Sequence, residues 1–171
     1  MLNQLESQAQ EQGLMLRLQV RRPLGLWSLR LVVARPIEDA RLQLLGEMKG
    51  WAYANQNGLQ LDTMRVLPSA PAGIGDLIWA ATMAWALEVT PCTRARLLAI
   101  HDNDHQHQRL VRYFKRRGFT SVREVDAALW DLPLRMVWGG AGVLMCGDCE
   151  VVLNKAKHRW TLRHNEYQSA A

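Results

Sequence analysis

Apolar residues recur along this chain at two different spacings, and the order of these spacings predicts the order of its strands and helices. Residues 26–34 are rich in apolar and β-branched side chains and lie between two prolines, which indicates a strand. Residues 41–53 and 58–66 show partial alternation of apolar and polar side chains around Asn57 and Gly58, a dipeptide that strongly favours a hairpin turn. The pattern therefore predicts three antiparallel strands in the first part of the chain.

The spacing changes to that of an α-helix in the middle of the chain. Apolar side chains recur every three or four positions from Ile74 to Trp85, and Pro91 ends the pattern. An apolar run at residues 94–100 predicts a strand that is covered on both faces. A second helix is then predicted to begin near Asn103 or Asp104 and to end at Gly118, with an apolar stripe on one side and basic side chains on the other.

Two final strands and a helix are predicted near the C-terminus, at residues 121–125, 135–138 and 148–157. Strands first, followed by alternating strands and helices, indicate an α/β or α+β fold with a mixed sheet. We expect one domain over residues 1–171. Residues 1–12 are predicted to form a short polar helix or a frayed end, and residues 160–171 a second frayed end.

Composition and charge exclude several classes of protein. Apolar residues make up 49% of the 171 positions, which is a globular composition, and the seven tryptophans are predicted to lie in the core or at its rim. The net charge is +5, but the basic clusters are not interleaved with aromatic side chains, so we do not expect nucleic-acid binding. No apolar run approaches the ~20 residues of a membrane span, and the polar N-terminus is not typical of a signal or transit peptide. We therefore expect a cytoplasmic protein.

Two segments have the spacing of metal ligands, and each has a simpler interpretation. Cys146 and Cys149 are separated by two residues, as in redox or zinc motifs, but a zinc site needs two further ligands, so we expect reduced thiols. Residues 101–107 contain three histidines and two aspartates. His105 and His107 would lie ~200° apart on a helix, and a capped helix start explains the polar residues without a metal. We therefore predict no metal site.

A glycine turn, Gly73-Ile74-Gly75, opens the first predicted helix. The first N–H groups of a helix have no acceptor within the helix, and the helix dipole places positive potential at the same end. Glycines also let the backbone approach a ligand closely. This turn therefore predicts a site for a phosphate-bearing ligand such as a coenzyme.

Four pieces of the sequence occur in an order that resembles a known family. They are residues 66–68, the glycine turn with its helix, the strand at 96–100, and the segment 113–119, which ends in a Gly-Phe pair. Together they resemble the GNAT superfamily of N-acetyltransferases over roughly residues 26–125. Residues 134–142 also look like the end of a branch of this family seen in cyanobacteria and chloroplasts.

The resemblance implies a GNAT-like mixed, mostly antiparallel central sheet that is splayed at its centre and flanked by helices, with acetyl-CoA as cosubstrate. In that arrangement the pyrophosphate would lie on backbone N–H groups of the turn, and the pantetheine would pair with the strand before it. The implied coenzyme-binding residues are Met64, Val66, Ala72, Gly73, Ile74, Gly75 and Asp76. An amine acceptor, either a small molecule or a protein, would approach from the other side.

The resemblance also implies the catalytic roles. In the family a carboxylate or a water commonly takes the amine proton, and Asp62 lies on the same face as Met64 and Val66 by two-residue alternation. Asp62 is either that base or a solvated strand-edge residue, and Glu47 is a second, weaker candidate. His107 falls at the position of the family's asparagine and is a candidate polar group beside the substrate or the coenzyme.

Three positions depart from the family pattern. The tyrosine that commonly protonates the departing thiolate falls on Phe114 here. Tyr113 is the nearest phenol, but one position rotates a helical side chain by ~100°, so we predict that it points elsewhere. The family's Gln or Arg before the turn is Ala70, and Asp76 puts negative charge where the pyrophosphate would arrive.

Two functions from different classes follow from these residues. The first is a GNAT-type N-acetyltransferase that moves an acetyl group from acetyl-CoA to an amine that the sequence does not specify. The alternative is a non-catalytic protein of the same fold that binds an acyl-CoA or a macromolecular partner as a regulatory or assembly module. The glycine turn and Asp62 favour the enzyme, whereas Ala70, Asp76 and Phe114 favour the alternative.

Overall fold

The computed structural model describes residues 1–38, 41–100, 104–125 and 140–170, and the side chains of residues 104–106, 164 and 166–170 are outside this description. These ranges contain seven strands, β1 (Met15–Arg21), β2 (Trp27–Pro36), β3 (Leu42–Ala52), β4 (Leu59–Val66), β5 (Arg94–Ile100), β6 (Phe119–Val125) and β7 (Gly142–Asp148). They also contain four helices, α1 (Leu2–Glu11), α2 (Ile74–Val89), α3 (Asp104–Arg117) and α4 (Cys149–Ala170). A short 3-10 turn, Pro23–Gly25, connects β1 to β2.

The seven strands form one sheet in the order β1-β2-β3-β4-β5-β7-β6. Every neighbouring pair is antiparallel except β4 and β5, which are parallel. The pairing of β4 with β5 joins only Leu59, Leu61 and the residue between them to residues 95–97. Beyond Leu61 the two strands part toward their carboxyl ends and leave a wedge in the middle of the sheet. The expected mixed, mostly antiparallel fold is therefore confirmed.

Helix α2 is the centre of the core. It is apolar on all sides, and its side chains from Leu77 to Ala86 are buried because β2, β3 and β4 cover one side and α4 packs along another. The largest fully buried side chains include Trp79 and Trp85 of α2 and Trp160 of α4. Helix α3 packs against β5, β6 and α4, so α2, α3 and α4 meet near the start of α2.

The two ends of the chain are helical, and α1 agrees with the short polar helix that was one of the two alternatives for residues 1–12. Helix α1 covers ten of the first twelve residues, and it buries Leu5 and Ala9 against the core. Helix α4 continues to Ala170, beyond the predicted end at residue 157, and Trp160 packs fully into the core. Leu5 and Ala9 near one end and Trp160 near the other thus join these helices to the core.

The predicted hairpin is confirmed as β3 and β4, but two strands were missed. Strand β1 precedes the three strands that the pattern predicted, so four antiparallel strands come before the glycine turn. Strand β7 inserts between β5 and β6, although it contains two glycines. The strand predicted at residues 135–138 lies outside the described residues.

The face of β1–β4 that points away from the helices is polar. Strand register places on it the exposed side chains of Arg17, Gln19, Arg21, Ser28, Arg30, Lys49, Thr63 and Arg65. No helix packs on this face within the described ranges, and we call it the outer face of the sheet. Among the same residues, no helix is both long and apolar enough to cross a membrane.

Candidate functional site

The parting of β4 and β5 leaves a small apolar cavity of about 40 Å³ at the closed end of the wedge. Its walls include Leu61, Met64, Trp79, Leu97, Leu98 and Phe114. Phe114 is held there by edge-on ring contacts, at 6.1 Å from the ring of Trp79 and 6.0 Å from that of Phe119. The cavity is therefore a mostly apolar space between β4 and β5, with the exposed side chains of Asp62 and Thr63 at its edge.

The glycine turn lies at the open end of the wedge, and its two glycines have different roles. Gly73 has a φ of +100° and precedes α2, and a Cβ there would lie 3.2 Å from Arg163 Cδ and 3.4 Å from the Trp160 ring. Gly75 is in the first turn of α2, and a Cβ there would lie 3.6–3.8 Å from Met64, Val66 and the Tyr113 hydroxyl. Gly73 is thus needed for packing against α4, whereas Gly75 leaves its N–H open to the wedge.

The remaining residues of the predicted coenzyme site take different positions. Ile74 is fully buried in the core, so only its backbone can meet a ligand, and Ala72 is exposed in the loop before the turn. Met64 packs partly against the core, and Val66 is 41% exposed at the end of β4. The structure therefore brings the backbone of the turn and the last residues of β4 to the same mouth of the wedge.

Asp76 is buried at the start of α2 and is surrounded by arginines. Its carboxylate accepts a hydrogen bond from Arg117 Nη1, and Arg159 Nη1 and Arg163 Nε lie 4.0 and 3.9 Å from its oxygens. The Asp76 side chain is only 6% exposed, so these contacts are poorly screened by water. The expected repulsion between Asp76 and a phosphate is therefore outweighed by three nearby guanidinium groups.

A groove of about 950 Å³ extends from Asp76 between α2, α3 and α4, and we call it the arginine groove. Its lining consists of Arg109, Arg112, Arg116, Arg117, Arg159 and Arg163, together with Asp76, Leu110 and Tyr113. Six arginines against one carboxylate create a strongly positive groove at the open end of the wedge. Arginine binds phosphate through paired N–H groups. The cations that the turn itself lacks are thus supplied by α3 and α4.

Tyr113 corrects the prediction that its side chain points away from the site. Its hydroxyl accepts a hydrogen bond from Trp79 Nε1 at 3.0 Å and lies 3.9 Å from Met64 Sδ. Arg117 stacks on the Tyr113 ring with its guanidinium carbon 4.4 Å from the ring centroid. Tyr113 and Phe114 both contact Trp79 although they are neighbours on α3, because the Phe114 ring meets the indole ring and the Tyr113 hydroxyl meets the indole nitrogen.

Asp62 lies at an irregularity in β4. Lys49 pairs with Thr63 and Gly50 pairs with Leu61, so Asp62 is an extra residue that has no partner of its own in β3. This bulge breaks the two-residue alternation, and the prediction that Asp62 shares a face with Met64 and Val66 is therefore wrong. The exposed carboxylate instead borders both the apolar cavity and a groove on the outer face, and it accepts a hydrogen bond from Thr63 Oγ1 at 3.2 Å.

Glu47 and His107 are placed less favourably for proton transfer. The Glu47 carboxylate accepts hydrogen bonds from Arg30 at 3.1 and 3.3 Å and has Lys49 Nζ at 3.9 Å. The ring Nδ1 of His107 lies 3.2 Å from the carbonyl oxygen of Ile100, to which it donates, at the carboxyl end of β5. His107 thus lies at the mouth of the wedge and contacts the backbone there.

The cysteines and the histidine-rich segment were the other candidate sites. Cys149 is buried at the start of α4, and desolvation by burial raises the pKa of its thiol to about 12. Burial also raises the pKa of the Cys92 thiol. No group of three or more His, Cys, Asp or Glu side chains suited to a metal ion occurs in the described part of the chain. Residues 101–103 and the side chain of His105 lie outside it.

Comparison with known proteins identifies the fold. No protein-family model matches this chain, and no curated protein matches its sequence. The structure is similar to that of NAA60 from Arabidopsis thaliana in complex with a bisubstrate analogue, with a TM-score of 0.51 and 15% sequence identity over 71% of this chain and 76% of that one. It is also similar to nourseothricin acetyltransferase, with a TM-score of 0.50 and 15% identity over 80% of this chain and 88% of that one. The chain therefore has the fold of the GNAT acetyltransferases.

Proposed function

We propose that this protein is a GNAT-type N-acetyltransferase that moves an acetyl group from acetyl-CoA to an amine. The observation that carries the proposal is the path from the arginine groove, past the first turn of α2, to the apolar cavity between β4 and β5. Tyr113 lines the groove, and its hydroxyl contacts Met64 and Trp79, which line the cavity. A long ligand with phosphates at one end and an uncharged reactive group at the other fits such a path.

The chain offers distinct partners to each part of acetyl-CoA. The arginines of α3 and α4 would bind its phosphates, together with the backbone N–H groups around Ala72, Gly73, Ile74, Gly75 and Asp76. The pantetheine arm would lie along Met64 and Val66, where β4 has left β5 and its backbone is open to a new partner. The acetyl thioester would then reach the apolar cavity. The expected branch of the family stays a prediction, since residues 134–139 lie outside the described structure.

Two side chains would move protons during transfer. The amine nitrogen forms a bond to the thioester carbonyl carbon while the bond from that carbon to sulfur breaks, so the nitrogen loses a proton and the sulfur gains one. Asp62 borders the cavity from the outer face and would accept the amine proton. Tyr113 would protonate the sulfur, because its oxygen accepts from Trp79 Nε1 while its hydrogen is directed at Met64 Sδ, on the wall along which the pantetheine arm would lie. His107 would provide a polar contact at the mouth of the wedge.

One observation favours the alternative, a non-catalytic acyl-CoA-binding protein. Phe114 lines the cavity at the position where the resemblance expects the acid, and a phenyl ring has no proton to give. Coenzyme binding without transfer to any amine is the result expected of that alternative. Binding and transfer must therefore be measured separately.

Isothermal titration of acetyl-CoA and CoA tests the binding step. We expect micromolar affinity for the unchanged protein and none for Gly75→Glu, because the new side chain fills the space beside Met64 and Val66 and carries negative charge into the phosphate site. Asn3→Glu is the matched control: it adds the same charge on the exposed side of α1, and the amino group of Met1, just before α1, is ion-paired to Glu88 near the other end of α2. No binding at millimolar coenzyme, or equal loss in both variants, would contradict the proposal.

A further inference from the structure

The outer face of the sheet carries a second groove, of about 390 Å³, which we call the outer groove. It crosses all four antiparallel strands, with Arg21 on β1, Arg30 on β2, Lys49 and Trp51 on β3, and Asp62 on β4. Asp62 also borders the apolar cavity, so the groove and the cavity meet at this carboxylate. A molecule in the outer groove can therefore present one end to the place where the acetyl group is expected.

The charges of the outer groove are separated along its length. Arg30 and Lys49 share the carboxylate of Glu47, so these three side chains together keep one positive charge. Arg21 has no carboxylate within 4.0 Å among the described residues and adds another. Asp62 is the negative end. The groove therefore has a cationic side over β1 and β2 and an anionic end over β4.

This inference rests on the proposed acetyl transfer: we infer that the outer groove binds the acceptor, and that the acceptor is an amine that also carries a carboxylate or phosphate group. The amine lies against Asp62, and its anionic group lies against Arg21 and Arg30. Neighbouring strands are about 4.8 Å apart, so the backbones of Arg30 and Arg21 are roughly 10 and roughly 14 Å across the sheet from that of Asp62, and the long arginine side chains reach over part of this distance. An amino acid with a short carbon chain or the amino end of a small acidic molecule fits this span.

The same groove disfavours polyamines. The second ammonium group of a diamine whose first amine contacts Asp62 would lie beside Arg21, Arg30 and Lys49. The like charges would repel each other, and the arginines would gain no anionic partner. The half-buried indole of Trp51 forms the floor between the two charged ends and packs on the carbon chain of the acceptor. The charged side chains of the outer groove thus favour amines that carry an anionic group, and the Trp51 indole can pack on carbon chains of differing length.

Three amines with the same number of carbons, four, test this selection: 4-aminobutanoate, butylamine and 1,4-diaminobutane. Release of the CoA thiol from acetyl-CoA is followed at equal amine concentrations, and we expect kcat/KM for 4-aminobutanoate to be at least tenfold above the other two. Comparison of O-phosphoethanolamine with β-alanine then distinguishes a phosphate from a carboxylate. A preference for butylamine or 1,4-diaminobutane would overturn the inference and leave the proposed acetyl transfer standing.

A pair of variants on β1 locates the anion site. Arg21→Glu is expected to raise KM for 4-aminobutanoate about tenfold and to leave KM for acetyl-CoA unchanged, since the arginine groove lies on the other side of the sheet. Arg17→Glu makes the same change of charge on the same strand outside the outer groove, and we expect it to alter neither constant. Equal effects of the two variants would show that general surface charge is responsible and would overturn the inference.

Binding can also be followed without turnover, which separates failure of this inference from failure of the proposed function. The indole N–H resonance of Trp51, assigned with Trp51→Phe, is monitored while 4-aminobutanoate or 1,4-diaminobutane is added to the labelled protein. A shift with 4-aminobutanoate alone supports the ligand class even if acetyl-CoA fails to bind. An unmoved resonance, or a larger shift with 1,4-diaminobutane, overturns it.

Discussion

Asp62 and Asp76 lie on the two sides of one wedge, and their surroundings differ in burial, in nearby charge and in hydrogen-bond partners. Asp76 is 6% exposed, begins a buried helix and has three arginines around it. Asp62 is exposed at a bulge in β4 and accepts a hydrogen bond from a neighbouring hydroxyl. A buried carboxylate among cations fixes the positions of those cations, whereas an exposed one stays available to a proton. Residue type alone distinguishes neither role.

Neutralising each of the two carboxylates should give the largest difference between the regions, in the free energy of unfolding. Asp76→Asn leaves Arg117, which is 12% exposed, without its anion, and we expect the free energy of unfolding to fall by about 3 kcal/mol. Asp62→Asn should change it by less than about 0.5 kcal/mol, because the side chain is exposed. Chemical denaturation monitored by tryptophan fluorescence measures both values. Similar losses in the two variants would contradict the comparison.

Removal of the proposed proton donor, Tyr113, should give the second-largest effect. Tyr113→Phe removes the phenol that faces the wedge, and we expect kcat to fall about 100-fold with KM for acetyl-CoA nearly unchanged. Tyr53→Phe, at a tyrosine that is 46% exposed, is the control with the same chemical change. Steady-state kinetics at a temperature where both variants are folded provides the measurement. An unchanged kcat would assign the proton to water and remove Tyr113 from the mechanism.

Substitution of the two glycines of the turn should affect different properties, stability at Gly73 and coenzyme affinity at Gly75. Gly73→Ala should cost about 1–2 kcal/mol of stability, because its φ is +100° and a Cβ would crowd Trp160 and Arg163. Gly75→Ala has ordinary contacts and should leave stability within about 1 kcal/mol, while it weakens coenzyme binding several-fold. Thermal unfolding and calorimetric titration distinguish these results. A stable Gly73→Ala would show that α4 is less tightly packed here than the structure indicates.

Salt should produce the smallest effect, and it should act on the ligand more than on the fold. Raising the ionic strength from 0.1 to 1 M shortens the Debye length from about 10 to about 3 Å, so the exposed arginines of the arginine groove attract phosphates less strongly. We expect the Kd of CoA to rise several-fold. The buried contact between Asp76 and Arg117 is shielded from solvent, so the free energy of unfolding should change little. An unchanged Kd together with a large change in the free energy of unfolding would indicate that the coenzyme binds away from the arginines.

The sequence was sufficient to predict elements whose side-chain pattern is local. The hairpin of β3 and β4 follows from its Asn-Gly turn, and α2 follows from its apolar repeat and the glycine before it. Strand β1 could also have been found, because Leu16, Leu18 and Val20 alternate with polar residues. Local pattern and composition thus account for most of the fold.

The candidate site was harder to predict because it depends on contacts between distant segments. Arg117 and Arg163 reach Asp76 only after α3 and α4 have packed around α2. The bulge at Asp62 is set by its pairing with β3 and has no signature in the strand itself. The direction of the Tyr113 side chain was predicted from ideal helix rotation alone. Rotation does not show that Trp79 of α2 is large enough to contact both Tyr113 and Phe114.

The contact between Gly73 and Trp160 has a consequence for the order of synthesis. A nascent chain that has emerged through α3 already contains the glycine turn, Arg117 and Tyr113, yet α2 still exposes the side that α4 covers. Helix α4 leaves the ribosome after α3, and it supplies Arg159 and Arg163 and closes the apolar surface of α2. Newly made molecules should therefore acquire coenzyme affinity and resistance to aggregation together, in the step in which α4 emerges and packs.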